Sequence, residues 1–221
     1  MARPVSPEPK FFLVDRLYEK GLGYYADTWF AAVGPALKAG EKSTDYLESA
    51  AAARRIAHDL PQAKLVFILR EPAARAYSNY LWTRMNGLET EDFAAALALE
   101  ERRERELTEQ LKFARPFAYF SRGLYADLLA AYVDRFPREQ ILVLRYEDIE
   151  VRSENVAEQL HRFLDVSPRP EDAVGLGIVN PSLAGGVSLD DGVRRDLVAR
   201  YAEPNRRLAQ LLGPGFEMWS A

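Results

Sequence analysis

Residues 64–80, KLVFILREPAARAYSNY, constrain the fold more than any other stretch. Leu65 to Leu69 are unbroken apolar and partly β-branched, the pattern of a strand buried on both faces of a parallel sheet. Pro72 follows at once and suits the first turn of a helix, where its fixed φ fits and its missing N–H is no loss. The stretch therefore predicts a strand over 64–70 feeding a helix over 72–85, with Gly87 breaking it. Arg70 stands at the carboxyl end of the strand, where open α/β sheets hold their ligands. The helix start adds free N–H groups and a positive dipole end, which favour an anion. A guanidinium can grip a phosphate through two parallel hydrogen bonds. Arg75, Ser78 and Asn79 fall at i, i+3, i+4 on one helix face, so the Ser78 hydroxyl can join an anion held near Arg70. Taken singly, Arg70 and Ser78 would read as solvated residues. The ordered string points to an anion site.

The rest of the chain alternates in the same manner. Leu22 to Ala36 is aromatic-rich, and Glu41 to Tyr46 reads as a short strand or its exit loop. Helices are predicted over Leu47–Leu60, Glu91–Lys112, Gly123–Phe136 and 154–164, the last capped by Ser153. Ile141 to Leu144 is a second buried strand, and Asp190 to Leu212 a last helix, interrupted near Pro204. Strands alternating with helices imply an α/β fold around a parallel sheet. No internal repeat or low-complexity linker divides residues 1–221, so a single domain is expected.

Composition narrows the function. The chain has 221 residues, 48% hydrophobic and 28% charged, enough for one domain with a sizeable core. A formal charge of −4 argues against a nucleic-acid partner. There is no cysteine, hence no disulfide framework and no thiolate metal site, and no metal is expected. No signal-peptide core or bilayer-length apolar run occurs, which predicts a cytoplasmic protein without a membrane partner.

The string LR-x-P-x-x-RAYS-x-Y closely resembles the 3′-phosphate-binding segment of sulfotransferases that use 3′-phosphoadenosine 5′-phosphosulfate (PAPS). PEPKFF (Pro7 to Phe12) resembles the family segment with an acidic residue before paired aromatics, and KGLGYYADTWF (Lys20 to Phe30) its KG-x-x-WY-x-x-x-F stretch. GEKSTDYL (Gly40 to Leu47) is similar to its EK-S/T-x-x-Y segment. RGLYADLL, QILVLRYEDI and NRRLAQLLG with Trp219 match later parts. The nearest flavour is the heparan-sulfate and bacterial carbohydrate group.

The resemblance implies a P-loop-NTPase-like three-layer fold with a central parallel sheet. It implies PAPS as co-substrate and a carbohydrate or other small-molecule hydroxyl or amine as acceptor. Arg70 and Ser78 would hold the 3′-phosphate, with Tyr125 near the cofactor. Tyr125 reads equally as a packed helical aromatic. Glu8 would be the base, Lys42 would offset developing negative charge, and Lys10 and Glu41 would contact the acceptor, Glu41 standing as second-choice base. Glu8 is equally readable as a loose terminal glutamate. His58 and His161 match no family histidine, and EERRERE (Glu100 to Glu106) reads as a solvated helix face.

Two departures accompany the match. No PK-S/T-G-T-T string for a 5′-phosphosulfate loop occurs, and NPSLAGGVSLDD (Asn180 to Asp191) carries no basic residue where relatives have a basic loop. The family's opening strand and loop are thus expected to be missing. Its strand would lie between those at 64–70 and 141–144, leaving a gap with unpaired backbone groups. An upstream segment, another chain or rearrangement could fill it, and an open edge favours homo-oligomers. Direct pairing of the two strands would exclude the gap. A non-catalytic or truncated relative that binds the 3′-phosphoadenosine moiety or a partner chain stays open. A related-fold kinase is disfavoured, because no Gly-x-x-x-x-Gly-Lys occurs.

Overall fold

The structure, a computed structural model, describes residues 8–34, 38–108, 111, 114–168 and 189–219. Its chain divides into two compact units. The first is Met1–Ala63 with Leu128–Gln140, and the second Lys64–Asp127 with Ile141–Ala221.

The first unit contains α1 (Asp15–Tyr18), α2 (Gly21–Trp29) and α3 (Ala50–Asp59), with a 3₁₀ turn over Thr44–Glu48. The KGLGYY stretch forms a helix because aromatic side chains spaced along it meet a common core. Phe11 stacks on Tyr25 at 4.6 Å between centroids and meets Phe12 edge-on at 4.9 Å. Phe11 and Phe12 are both buried. Helix α3 starts later than the apolar pattern suggested, because the Ser49 hydroxyl caps it by accepting from the Ala52 N–H. Residues 41–43 form no strand, which settles the segment as a loop leading into the 3₁₀ turn.

The second unit holds the strand pair β1 (Leu65–Leu69) and β2 (Ile141–Arg145) and the helices α4 (Pro72–Met85), α5 (Phe93–Arg105), α7 (Tyr146–Val151), α8 (Ser153–Leu164) and α9 (Asp191–Leu212). Helix α6 (Tyr125–Val133) carries residues of both units. Strands β1 and β2 pair directly and in parallel, from Leu65 opposite Ile141 to Leu69 opposite Arg145. The expected gap between them is therefore excluded, since the ladder itself satisfies the backbone groups facing it. The expectation of burial on both faces is also corrected. Val66 and Ile68 are 37% and 51% exposed, whereas Leu69 is buried. Successive side chains leave a strand on opposite faces, and the Val66–Ile68 face is open among the described residues.

Helix α4 lies against α9 through Ala73, Ala76, Tyr80, Leu197 and Tyr201. Small residues on α4 let the larger ones of α9 approach. Truncating a buried leucine such as Leu197 would cost about 2–5 kcal/mol. Gly123 is required by the same packing, because a Cβ there would stand 2.6 Å from the Tyr201 hydroxyl. Helix α5 ends at Arg105, short of the predicted Lys112, which lies outside the described residues. Ser153 begins α8 without capping it, while Asp190 caps α9, which runs through Pro204 unbroken. Residues 180–188 of the glycine-rich segment also lie outside the described residues.

Candidate active site

The predicted site residues fall into two clusters, one in each unit. In the first unit, residues 8–12 are fastened to residues 41–46. Lys10 adopts a left-handed conformation (φ 53°), a sparsely populated state for a non-glycine residue that needs support from its surroundings. That support is visible: the Lys10 N–H donates to Ser43 Oγ at 3.0 Å, and its ammonium to Asp45 at 2.6 Å. The turn presents Glu8 to the EKST loop. Lys42 Nζ lies 2.8 Å from the Glu8 carboxylate, Thr44 Oγ1 donates to it at 2.7 Å, and Lys10 Nζ stands 3.7 Å away. Glu8, Lys10 and Lys42 are thus brought together.

The two carboxylates of this cluster are driven apart. Partial burial would raise the Glu8 pKa, but hydrogen bonds from Lys42 and Thr44 and the charges of Lys42 and Lys10 outweigh it, leaving it below the usual value. Burial is the dominant effect on Glu41 and raises its pKa, despite hydrogen bonds from Ser43, Tyr46 and Tyr25. Ser43 Oγ donates to Glu41 at 2.9 Å. Glu8 is the ionised member, and Glu41 the one held closer to protonation.

In the second unit β1 feeds α4 as the sequence predicts, but the helix-start N–H groups expected to be free for an anion are taken by a carboxylate of the chain itself. Pro72 occupies the first turn of α4, and the Glu71 carboxylate caps it by accepting from the Ala73 and Ala74 N–H groups at 2.9 and 2.6 Å. The Glu71 N–H donates to Glu147 at 2.8 Å, and Trp219 Nε1 donates to the other oxygen of Glu147 at 2.8 Å. Arg70 is held by its main chain: the Tyr125 hydroxyl donates to the Arg70 carbonyl at 2.9 Å. Its guanidinium lies 5.2 Å from the Tyr146 ring centroid and makes no ion pair among the described residues. Tyr125 is 3% exposed. Burial pushes its hydroxyl up to about 12, so it stays neutral and positions Arg70.

The shared face of Arg75, Ser78 and Asn79 is divided in use. Arg75 donates to the carbonyls of Ala118 and Tyr119, and Asn79 to that of Pro116 at 2.9 Å. Both hold the loop beside α4. Ser78 is half-buried on that face. The EERRERE run is a solvated face only in part: Glu101, Arg102, Arg105 and Glu106 are exposed, whereas Glu100 is buried and Arg103 and Glu104 are half-buried, which corrects the sequence reading for those three. Glu100 is buried and accepts from the Phe120 and Ser121 N–H groups at 2.6 and 2.8 Å, and Arg103 pairs with the buried Glu89 at 2.5 Å. The run length concealed this, since charge periodicity alone does not show which carboxylates find buried donors. His58 is exposed beside Asp59 at the end of α3. No group of His, Cys, Asp and Glu able to hold a metal occurs among the described residues, and no helix among them is long and apolar enough to cross a membrane.

Known proteins are similar to this chain. The chain is 29% identical over 180 residues to carbohydrate sulfotransferase 15 of Rattus norvegicus, covering 72% of this chain and 31% of that protein. It is 27% identical over 191 residues to a bifunctional heparan sulfate N-deacetylase/N-sulfotransferase of Drosophila melanogaster, covering 76% of this chain and 17% of that one. The chain thus spans under a third of these relatives' length. A solved sulfotransferase from Alicyclobacillus acidocaldarius superposes with a TM-score of 0.73 at 27% identity, over 95% of this chain and 84% of that one. That likeness carries the α/β, P-loop-like fold. Residues 50–175, which include β1, the Arg70 junction, α4 and β2, match the model of the sulfotransferase domain, and the chain belongs to that family.

Proposed function

We propose that this chain transfers a sulfuryl group from PAPS to a hydroxyl or amine of a carbohydrate. The observation that carries the reading is Arg70: a guanidinium at the carboxyl end of a parallel strand, fixed through its main chain, with no ion pair among the described residues. Buried or half-buried charges normally have partners, so a cation left without one suits an anionic ligand. The Arg70 guanidinium suits a phosphate, whereas the Ala73 and Ala74 N–H groups at the helix start are already held by Glu71. The names of the relatives, carbohydrate sulfotransferase and heparan sulfate N-sulfotransferase, favour a carbohydrate acceptor.

PAPS supplies the sulfuryl group and departs as 3′-phosphoadenosine 5′-phosphate. Arg70 and Ser78 hold the 3′-phosphate, and Tyr125 keeps the Arg70 backbone in place. Glu8 accepts the acceptor's proton as its oxygen or nitrogen bonds to sulfur. Because its pKa is depressed, Glu8 is ionised and ready, but it is a weak base. Proton transfer to it therefore keeps pace with sulfur bonding rather than preceding it. Lys42 offsets developing negative charge, and Lys10 and Glu41 orient the acceptor.

Calorimetric titration with 3′-phosphoadenosine 5′-phosphate, followed by a transfer assay on heparan-type and simple sugar acceptors, tests this. The wild type should bind and turn over. Arg70→Ala should lose binding. Glu8→Gln should keep binding and lose turnover. Binding without transfer to any acceptor would reduce the chain to a nucleotide-binding module, and absence of binding would overturn the reading altogether.

A further inference from the structure

Directly after Arg70 along the chain, Glu71 borders a cavity of about 740 Å³ in the second unit. Arg194 and Arg195 of α9, Ala199, Ala202 and Trp219 line it with Glu71. The volume lies in the range of small-molecule sites. Ala199 and Ala202 follow Arg195 at i+4 and i+7, so small side chains extend the same side of the helix and leave room beside it. Trp219 contributes an indole fixed by its Nε1–H bond to Glu147 and by the Tyr125 and Phe216 rings, 6.0 and 5.7 Å away between centroids, and it borders the cavity beside them.

The charges on this wall are unequal in their commitments. Glu71 is the cap of α4, and its carboxylate accepts two N–H groups there. Asp191 opens α9, where the positive end of the helix dipole offsets its charge. Neither arginine forms an ion pair among the described residues. Two guanidinia facing a roomy cavity, with the nearby carboxylates already balanced, leave net positive potential for an anion.

We propose that Arg194 and Arg195 form a cationic wall that grips the phosphates of the nucleotide, with its ring system against Trp219. The assignment rests on the nucleotide reading above and extends it to residues of α9 that the sequence did not single out. Arg70 then supplies one grip at the strand end and the arginine pair another in the adjoining cavity.

The full chain, titrated with 3′-phosphoadenosine 5′-phosphate at low and moderate salt, tests the assignment. Affinity should fall about tenfold for each arginine removed, so R194A/R195A should bind about 100-fold more weakly and with a shallower salt dependence. R194Q and R195Q singly should each show part of the loss, and R206A, farther along α9, none. Tryptophan fluorescence should quench on binding, and most of that quench should vanish in W219F. Wild-type affinity in R194A/R195A, or an undiminished quench in W219F, overturns the assignment. If the wild type binds while only Arg70→Ala abolishes binding, this wall fails and the function above stands. If the wild type does not bind, both fall.

Discussion

Helix α4 begins and ends in opposite electrostatic states. At its start, Arg70 has a hydrogen-bonded backbone and a guanidinium without an ion pair among the described residues. Just past its end, Glu89 has a fully buried side chain and a complete set of partners. Arg103 lies 2.5 Å away, the Tyr119 hydroxyl donates at 2.8 Å, and the Thr90 and Glu91 N–H groups each donate at 3.0 Å. Thr83 extends the network, with its hydroxyl 2.9 Å from that of Tyr119. The two ends differ in closure. A closed network specifies structure, because every member is costly to unpair. An open charge adds little to folding and is available to a ligand.

The largest expected effect breaks the closed end. Glu89→Ala takes the carboxylate from half-buried Arg103 and leaves the buried Tyr119 hydroxyl only Thr83, and should cost about 3–5 kcal/mol in chemical denaturation. Glu89→Gln keeps the shape, and its deficit should depend on pH. Burial would raise the Glu89 pKa, but hydrogen bonds from Arg103 and Tyr119 bring it below the ordinary 4.5. A depressed carboxylate stabilises the fold above its unfolded pKa and loses that contribution as pH falls through the folded one. The gap between wild type and Glu89→Gln should therefore close in acid. A constant gap would show that the charge is not what the network uses.

At the open end the expected pattern inverts. Arg70→Ala should weaken 3′-phosphoadenosine 5′-phosphate binding at least about 100-fold, near 2.7 kcal/mol. It should change folding stability by at most about 1 kcal/mol, the scale of its contact with Tyr146. A large loss of stability would make Arg70 another structural charge and erase the contrast. Gly123→Ala ranks next. Its methyl would press on the Tyr201 hydroxyl, which donates to the Phe120 carbonyl at 2.8 Å. Overpacking of this kind costs about 1–3 kcal/mol, read as a lowered denaturation midpoint.

The open end was legible in the sequence and the closed end was not. Arg70, Pro72 and Ser78 sit in one short string whose order reports a strand, a turn and a helix. Glu89 and Arg103 lie fourteen residues apart, and only tertiary packing shows that one reaches the other under Tyr119. The same limit explains the misreading of Glu100, whose partners come from the loop at 120–121. Apolar runs also mislead when layers are uncounted. Leu65 to Leu69 announced a strand correctly, but hydrophobicity does not say whether both faces are covered, and Val66 and Ile68 are not. Pro204 was expected to interrupt α9, yet the helix passes through it, because burial of Leu197, Tyr201, Leu208 and Leu212 on one side outweighs one lost hydrogen bond.

The first unit supplies an intermediate case. Glu8 has partners, as Glu89 does, but Lys42 is 75% exposed at its side chain, so the pair is closed on one side only. Exposed pairs contribute little to folding, about 0–1 kcal/mol, and Lys42→Met should leave the denaturation midpoint nearly unchanged. Its effect should appear in the pH dependence of turnover. Glu8 must be ionised to take a proton, and Lys42 is among the groups holding its pKa down. Without that cation the carboxyl protonates at higher pH, and the acid limb of kcat/KM should move upward. Thr44→Val removes a hydrogen bond to the same carboxylate and should move the limb in the same direction. If neither substitution moves it, the titrating base is another group. Glu41, whose raised pKa already sets it apart, is then the residue whose Gln variant should abolish that limb.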